Sequence, residues 1–152
     1  MKMPSFFRQF LLLSLAMVCQ FGSAQTSPTP AAGSQDISNE KAVRDYYAAF
    51  ENKDWNLMER ILADGFTFSS PLDDHISVKA FQERCWPNAY KIKRFDLEKV
   101  VVSGDDVFVI CNGWTNGGKL FRNSDHFTLK DGKIAAYECF FGPGINYPNS
   151  GK

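Results

Sequence analysis

The stretch FDLEKVVVSGDDVFVICNGWTNGGKLFRNSDHFTLKDGKIAAYECFF, from Phe95 to Phe141, decides the fold. Its runs 95–102, 107–114, 120–129 and 134–141 are rich in valine, isoleucine and aromatic residues, the side chains that suit a pleated, half-buried surface. Glycine-containing turns separate them at Ser103-Gly104-Asp105, Asn116-Gly117-Gly118 and Lys130-Asp131-Gly132-Lys133. Connections this short join antiparallel neighbours, so the stretch predicts a meander.

Upstream of it the periodicity changes. Ser38 can cap a helix that carries Val43, Tyr46, Tyr47 and Phe50 at three- and four-residue spacings, with Glu40, Lys41, Arg44 and Asp45 on the other face. Asp54 can cap a second helix bearing Leu57, Met58, Ile61 and Leu62, ended by Asp64-Gly65. The run Phe66 to Ser70 reads as a strand stopped by Pro71, and a polar loop follows. Ser77 can start a third short helix with Val78, Phe81 and Cys85 on one stripe, closed by Pro87. Helices first and a curved antiparallel sheet second make an α+β fold, with three N-terminal helices covering one face and a cone-like cavity between the layers.

The whole chain has 152 residues, enough for one such domain and a leader. Lys2 and Arg8 flank the start of an apolar run from Phe10 to Val18, which small residues end at Gly22-Ser23-Ala24. That pattern predicts a signal peptide over 1–24 and export to the periplasm or outside the cell. Val18 before Cys19 argues against a lipid anchor. A flexible Ser-, Pro- and Ala-rich linker is expected over 25–36, the domain over 37–145 and a tail over 146–152.

Cleavage removes two basic residues and no acidic ones from a chain that starts with 17 of each, so the mature charge is slightly negative. Nucleic acid is excluded as a partner by the lack of a basic cluster, and no run after the leader is long enough to span a bilayer. Cys85, Cys111 and Cys139 remain, an odd number that leaves at least one thiol unpaired within the chain. No CxxC or HxxxH spacing is present, so neither a metal nor another cofactor is expected.

Among the polar residues Asp125 stands out. Phe121, Asn123, Asp125, Phe127 and Leu129 share one face of a strand by two-residue alternation, and a carboxylate on so apolar a face needs a reason. Either the face lines a pocket or it looks outward, and alternation alone does not decide between them. His126 then points to the opposite side, as does Glu138 on the following strand.

The order of elements, with Tyr46-Tyr47-Ala48-Ala49-Phe50 and Asp54, Ala63-Asp64, Ser70-Pro71-Leu72, Asp125-His126-Phe127 and Phe141-Gly142, resembles the ketosteroid isomerase and SnoaL-like members of the nuclear transport factor 2-like superfamily. The resemblance implies that Tyr46 occupies the position of the tyrosine that donates to the steroid oxygen, and Asp125 that of the protonated acid beside it. A carboxylic acid kept neutral by an apolar site is a known feature of those isomerases. It also turns Tyr137 and Cys139 inward.

The general base of those enzymes precedes the proline that ends the first strand, where this chain has Ser70. A serine hydroxyl does not accept a proton near neutral pH without activation. Asp73, Asp74 and His75 lie in the adjoining loop, and Asp74 and His75 are carried forward as candidate substitutes beside Tyr46 and Asp125. Candidate ligand-lining residues are Trp55, Phe68, Ser70, Trp86, Trp114 and Tyr137.

Two functions follow as expectations. One is a binding protein whose pocket holds a small apolar ligand anchored by Tyr46 and Asp125. The alternative is an isomerase, cyclase or hydrolase acting on a small carbonyl-bearing or cyclic substrate, which gains if Asp73, Asp74 or His75 reaches the cavity and fails if all three face solvent. Homodimerisation through the outer face of the meander is also expected.

Overall fold

A computed structural model describes residues 32–141, so the leader, most of the expected linker and the tail lie outside the described residues. Helix α1 runs Ala32–Asn52 and begins earlier than its sequence suggests. Ser38 does not cap it; the hydroxyl turns back to donate to the Gln35 carbonyl at 2.9 Å. The extra turn is tied down by distant contacts, from the Gln35 amide to Asp105 at 2.6 Å and from Asn39 Nδ2 to the Gly104 carbonyl at 2.9 Å. Such contacts override weak local propensity.

Helix α2, Trp55–Ile61, is capped as expected, with Asp54 Oδ1 accepting the Leu57 N–H at 2.9 Å. Strand β1, Leu62–Ser70, follows at once, so Asp64-Gly65 sits inside the strand rather than at the helix end, with Gly65 at φ 78°. Beyond the Pro71-Leu72 turn, the expected loop is strand β2, Asp73–Ser77, paired antiparallel to β1. Ser77 caps α3, Val78–Arg84, by accepting the Ala80 N–H at 3.4 Å. Pro87 then stands in the first turn of a 3-10 helix, Trp86–Lys91, where its missing N–H breaks no bond.

The meander is β3, Ile92–Ser103; β4, Asp106–Thr115; β5, Leu120–Lys130; and β6, Lys133–Phe141. The six strands form one open sheet in the order β2-β1-β6-β5-β4-β3. The sheet is mixed rather than wholly antiparallel, because β1 pairs parallel to β6. Three hairpins fix the direction of β6, and β1 enters beside it from the helical end of the chain. Register shifts at Leu97/Lys99 and Thr128/Leu129 interrupt the ladders, the kind of irregularity that bends a sheet.

The concave face carries Val107, Val109 and Cys111 on β4, Phe127 and Leu129 on β5, and Ile134 and Tyr137 on β6, all buried beneath the helices. At its centre Phe127 and Tyr137 stack with ring centroids 4.5 Å apart and planes 7° from parallel. On the opposite face His126 stacks on Phe108 and lies 2.8 Å from both Asp106 and Glu138. Among the described residues no helix is long and apolar enough to cross a membrane.

Candidate functional site

The curve of the sheet leaves a cavity of about 680 Å³ between its concave face, α1 and the segment from α3 through the 3-10 helix. Its walls combine aromatic rings, Tyr46, Phe50, Phe68, Phe81, Phe95 and Phe121 among them, with polar and charged side chains. That volume suits a small organic ligand, whose pockets run to roughly 300–1,000 Å³.

Asp125 lies in the cavity wall with 1 % of its surface exposed. The register sets it between Val109 and Cys139, two buried residues, so little water reaches it. Tyr47 Oη donates to Asp125 Oδ2 at 2.6 Å, and Cys111 Sγ lies 3.6 Å from the same oxygen. Among the described residues Oδ1 finds no hydrogen-bond partner of normal geometry. Burial raises the Asp125 carboxyl above the usual carboxylate range, against the opposing effects of Tyr47, Cys139, Cys111 and Tyr137. A protonated acid whose second oxygen accepts from tyrosine leaves an O–H on Oδ1 for a ligand.

The partner of Asp125 is therefore Tyr47, whereas the family pattern pointed to Tyr46. Adjacent helical residues diverge by about 100°, and the rotation of α1 decides which of two neighbouring tyrosines overhangs the strand. Tyr46 also lines the cavity, its ring edge-on to Tyr137 with centroids 4.9 Å apart. Burial first, then the nearby Cys139 thiol and Asp125, raises the Tyr46 hydroxyl well above its usual value.

The hairpin after Pro71 sorts the three loop candidates. Asp74 and His75 pair with each other at 2.5 Å, with side chains 94 % and 71 % exposed, and lie outside the cavity wall. Asp73, at the start of β2, lines the cavity instead; alternation would place His75 beside it, but the backbone turns at His75, φ 46°, next to a register shift between β1 and β2. Its Oδ2 accepts from Ser70 Oγ at 3.1 Å, and the Arg84 guanidinium lies 2.5 Å from Oδ1, off the hydrogen-bond axis. Cys85 Sγ sits 4.0 Å from Asp73 Oδ2, and burial, with the Asp73 charge, pushes its thiol up to about 11. Cys85 is thus a neutral thiol near neutral pH, which is a poor nucleophile.

Of the expected lining residues Phe68, Ser70 and Tyr137 are in the wall, while the three tryptophans are not. Trp86 is buried against Trp55 and Phe50, at 5.1 and 5.0 Å between centroids, behind the cavity rather than in it. Trp114 lies under the Arg94 guanidinium, 3.5 Å from its ring centre. Ring size alone drew attention to them, and side-chain direction overruled it. The sequence reading missed Tyr47, although it sits on the same apolar stripe, and it missed Arg84, Lys91 and Lys119 at the cavity.

One wall depends on a glycine. A Cβ on Gly113 would stand 2.1 Å from the Phe121 ring, so these two residues share space across the β4–β5 ladder. Gly113→Ala is expected to displace Phe121 and change affinity for ring-shaped ligands while a wild-type far-ultraviolet circular dichroism spectrum is kept. Fluorescence titration would check it, and unaltered affinities would remove Phe121 from the binding wall.

The family model of the SnoaL-like domain matches residues 43–137. Comparison with curated protein sequences gives no significant match. Among solved structures, an NTF2-like protein of unknown function from Cytophaga hutchinsonii is similar at TM-score 0.57 and 24 % identity, over 69 % of this chain and 90 % of that one. A protein assigned as a ketosteroid isomerase from Kribbella flavida gives 0.61 and 14 %, over 71 % and 80 %. One assigned as a SnoaL-like polyketide cyclase from Jannaschia gives 0.58 and 17 %, over 75 % and 89 %. At these identities the structures speak for the fold alone.

Proposed function

This chain belongs to the SnoaL-like domain family, within the nuclear transport factor 2-like superfamily, and on that premise we propose that it binds a small apolar molecule carrying a carbonyl or hydroxyl oxygen. The observation that carries the reading is Asp125: a buried acid at a cavity wall, held on one oxygen by Tyr47 and, among the described residues, without a hydrogen-bond partner on the other. Leaving a buried polar oxygen unpaired is unfavourable by roughly 1–3 kcal/mol, and a ligand oxygen in the cavity removes that penalty.

The test is a calorimetric titration with 2-acetylnaphthalene, whose ketone accepts one hydrogen bond. Tyr47→Phe removes the donor that orients Asp125, and the expected result is binding roughly threefold to tenfold weaker than wild type. Identical affinities would separate the Tyr47–Asp125 pair from ligand binding.

The second reading, an isomerase, cyclase or hydrolase, is favoured by the position of Asp73 in the wall. In an isomerase its carboxylate would take a proton from the carbon beside a ketone, the electron pair would move onto the oxygen, and Asp125 would hydrogen-bond the resulting enolate. It ranks second because Ser70 and Arg84 already engage both Asp73 oxygens. Hydrogen–deuterium exchange at the ketone's α-carbon that is lost in Asp73→Asn would reverse the ranking.

Two further expectations belong to the same reading. The leader over 1–24 directs export, which N-terminal sequencing of the mature protein checks. The outer sheet face presents Val101, Phe108, Ile110 and Phe140, exposed by 55, 47, 37 and 57 %, an apolar surface suited to a second copy. Light scattering should give twice the monomer mass, and a monomer result would rule the dimer out.

A further inference from the structure

We propose that the ligand is an amphipathic anion: an apolar body whose neutral oxygen reaches Asp125 and whose carboxylate lies between Lys91 and Lys119 at the cavity. This inference rests on the binding reading above and adds a charge to the ligand.

Both lysines line the cavity, although they stand 28 positions apart in the chain, with Lys91 at the end of the 3-10 helix and Lys119 in the β4–β5 turn. Hydrogen bonds bring those two places together. The Asn116 N–H donates to the Lys91 carbonyl at 2.8 Å, and Asn116 Nδ2 donates to the Tyr90 carbonyl at 2.8 Å. Across the same turn, the Thr115 N–H donates to the Lys119 carbonyl at 2.9 Å and the Lys119 N–H to Thr115 Oγ1 at 3.1 Å. The two ammonium-bearing backbones are thus fixed to one side of the opening.

The charge there is not answered by protein acids. Among the described residues no carboxylate pairs with either lysine, and the contact of the Lys91 ammonium is the neutral Asn88 Oδ1 at 3.1 Å. Of the two acids in the wall, Asp73 is held by Arg84 and Asp125 is buried beside Tyr47. The other cations in the wall have partners, Arg84 on Asp73 and Arg122 on Glu98 at 2.6 Å. The cavity therefore presents an aromatic body, a hydrogen-bonding acid and a pair of uncompensated positive charges. A molecule that satisfies all three has a nonpolar middle and a negative group at one end.

The probes are ω-hydroxydodecanoate and its methyl ester, which share a flexible chain and a terminal hydroxyl and differ in charge. Titrated into the purified protein at low salt and neutral pH, the acid is expected to bind roughly threefold to tenfold tighter than the ester, the gain of two partly exposed charge pairs. The advantage should vanish in the Lys91→Gln, Lys119→Gln double variant, which should bind acid and ester alike. It should also collapse in about 1 M salt, where the screening length is about 3 Å. Equal binding of acid and ester, or an advantage that survives in the double variant, overturns the anionic ligand and leaves the binding reading in place. Binding of neither probe overturns both.

Discussion

Asp125→Asn is expected to become more stable than wild type as the pH rises. In the wild-type protein the folded-state carboxyl is raised by burial, so the folded chain holds a proton that the unfolded chain gives up. The stability associated with this group is therefore complete below the unfolded value, near pH 4, and declines as pH climbs toward the raised folded value. The decline is about 1.4 kcal/mol for each pH unit in that window. Asparagine keeps the shape and can still accept from Tyr47, yet has no proton to lose, so its profile lacks this slope. Urea denaturation of both proteins at a series of pH values measures the difference. Parallel profiles would mean that Asp125 ionises in the folded state as freely as in the unfolded one.

Phe127→Ala is expected to destabilise the domain by about 3–5 kcal/mol, a large part of the roughly 5–15 kcal/mol that holds a domain of this size together. Phe127 has no exposed surface and stacks on Tyr137, with Tyr46 at 5.2 Å and Tyr47 at 6.0 Å between ring centroids. It does not itself line the cavity; it backs the tyrosines that do. Its removal should therefore weaken ligand binding as well as folding. Chemical denaturation reads the first effect and ligand titration of the folded variant the second. A loss below about 1 kcal/mol would indicate a core that is not packed around this ring.

Local chemistry was legible in the sequence and long-range choices were not. The caps at Asp54 and Ser77 could be read because each acts on a backbone N–H three residues away. The meander could be read because its turns are short and its inward positions alternate. Asp125 declared itself as a polar residue on an apolar face. The tyrosine that meets it could not be chosen, since Tyr46 and Tyr47 are both buried and the answer lies in how α1 rolls on the sheet. The parallel β1–β6 pair leaves no local mark, because its partners are brought together by everything between them. Asp73 was one of three polar residues in an apparent loop; pairing with β1 made that segment a strand and turned Asp73 inward while Asp74 and His75 stayed outside.

The same division governs the function. The family supplies a cavity of a known type, and the residues at Ser70 and Asp73 leave the acid–base step without an unengaged base. What remains, and does not depend on any reaction, is a buried acid in the wall of a cavity, its carboxyl raised by burial.

Carbon-13 NMR titration of the Asp125 side-chain carboxyl, free and with 2-acetylnaphthalene bound, tests that claim most directly. The carboxyl should remain protonated at neutral pH, and the bound ketone, which requires the O–H, should move its deprotonation to still higher pH. A carboxyl already ionised at neutral pH, or one indifferent to the ligand, would contradict the account.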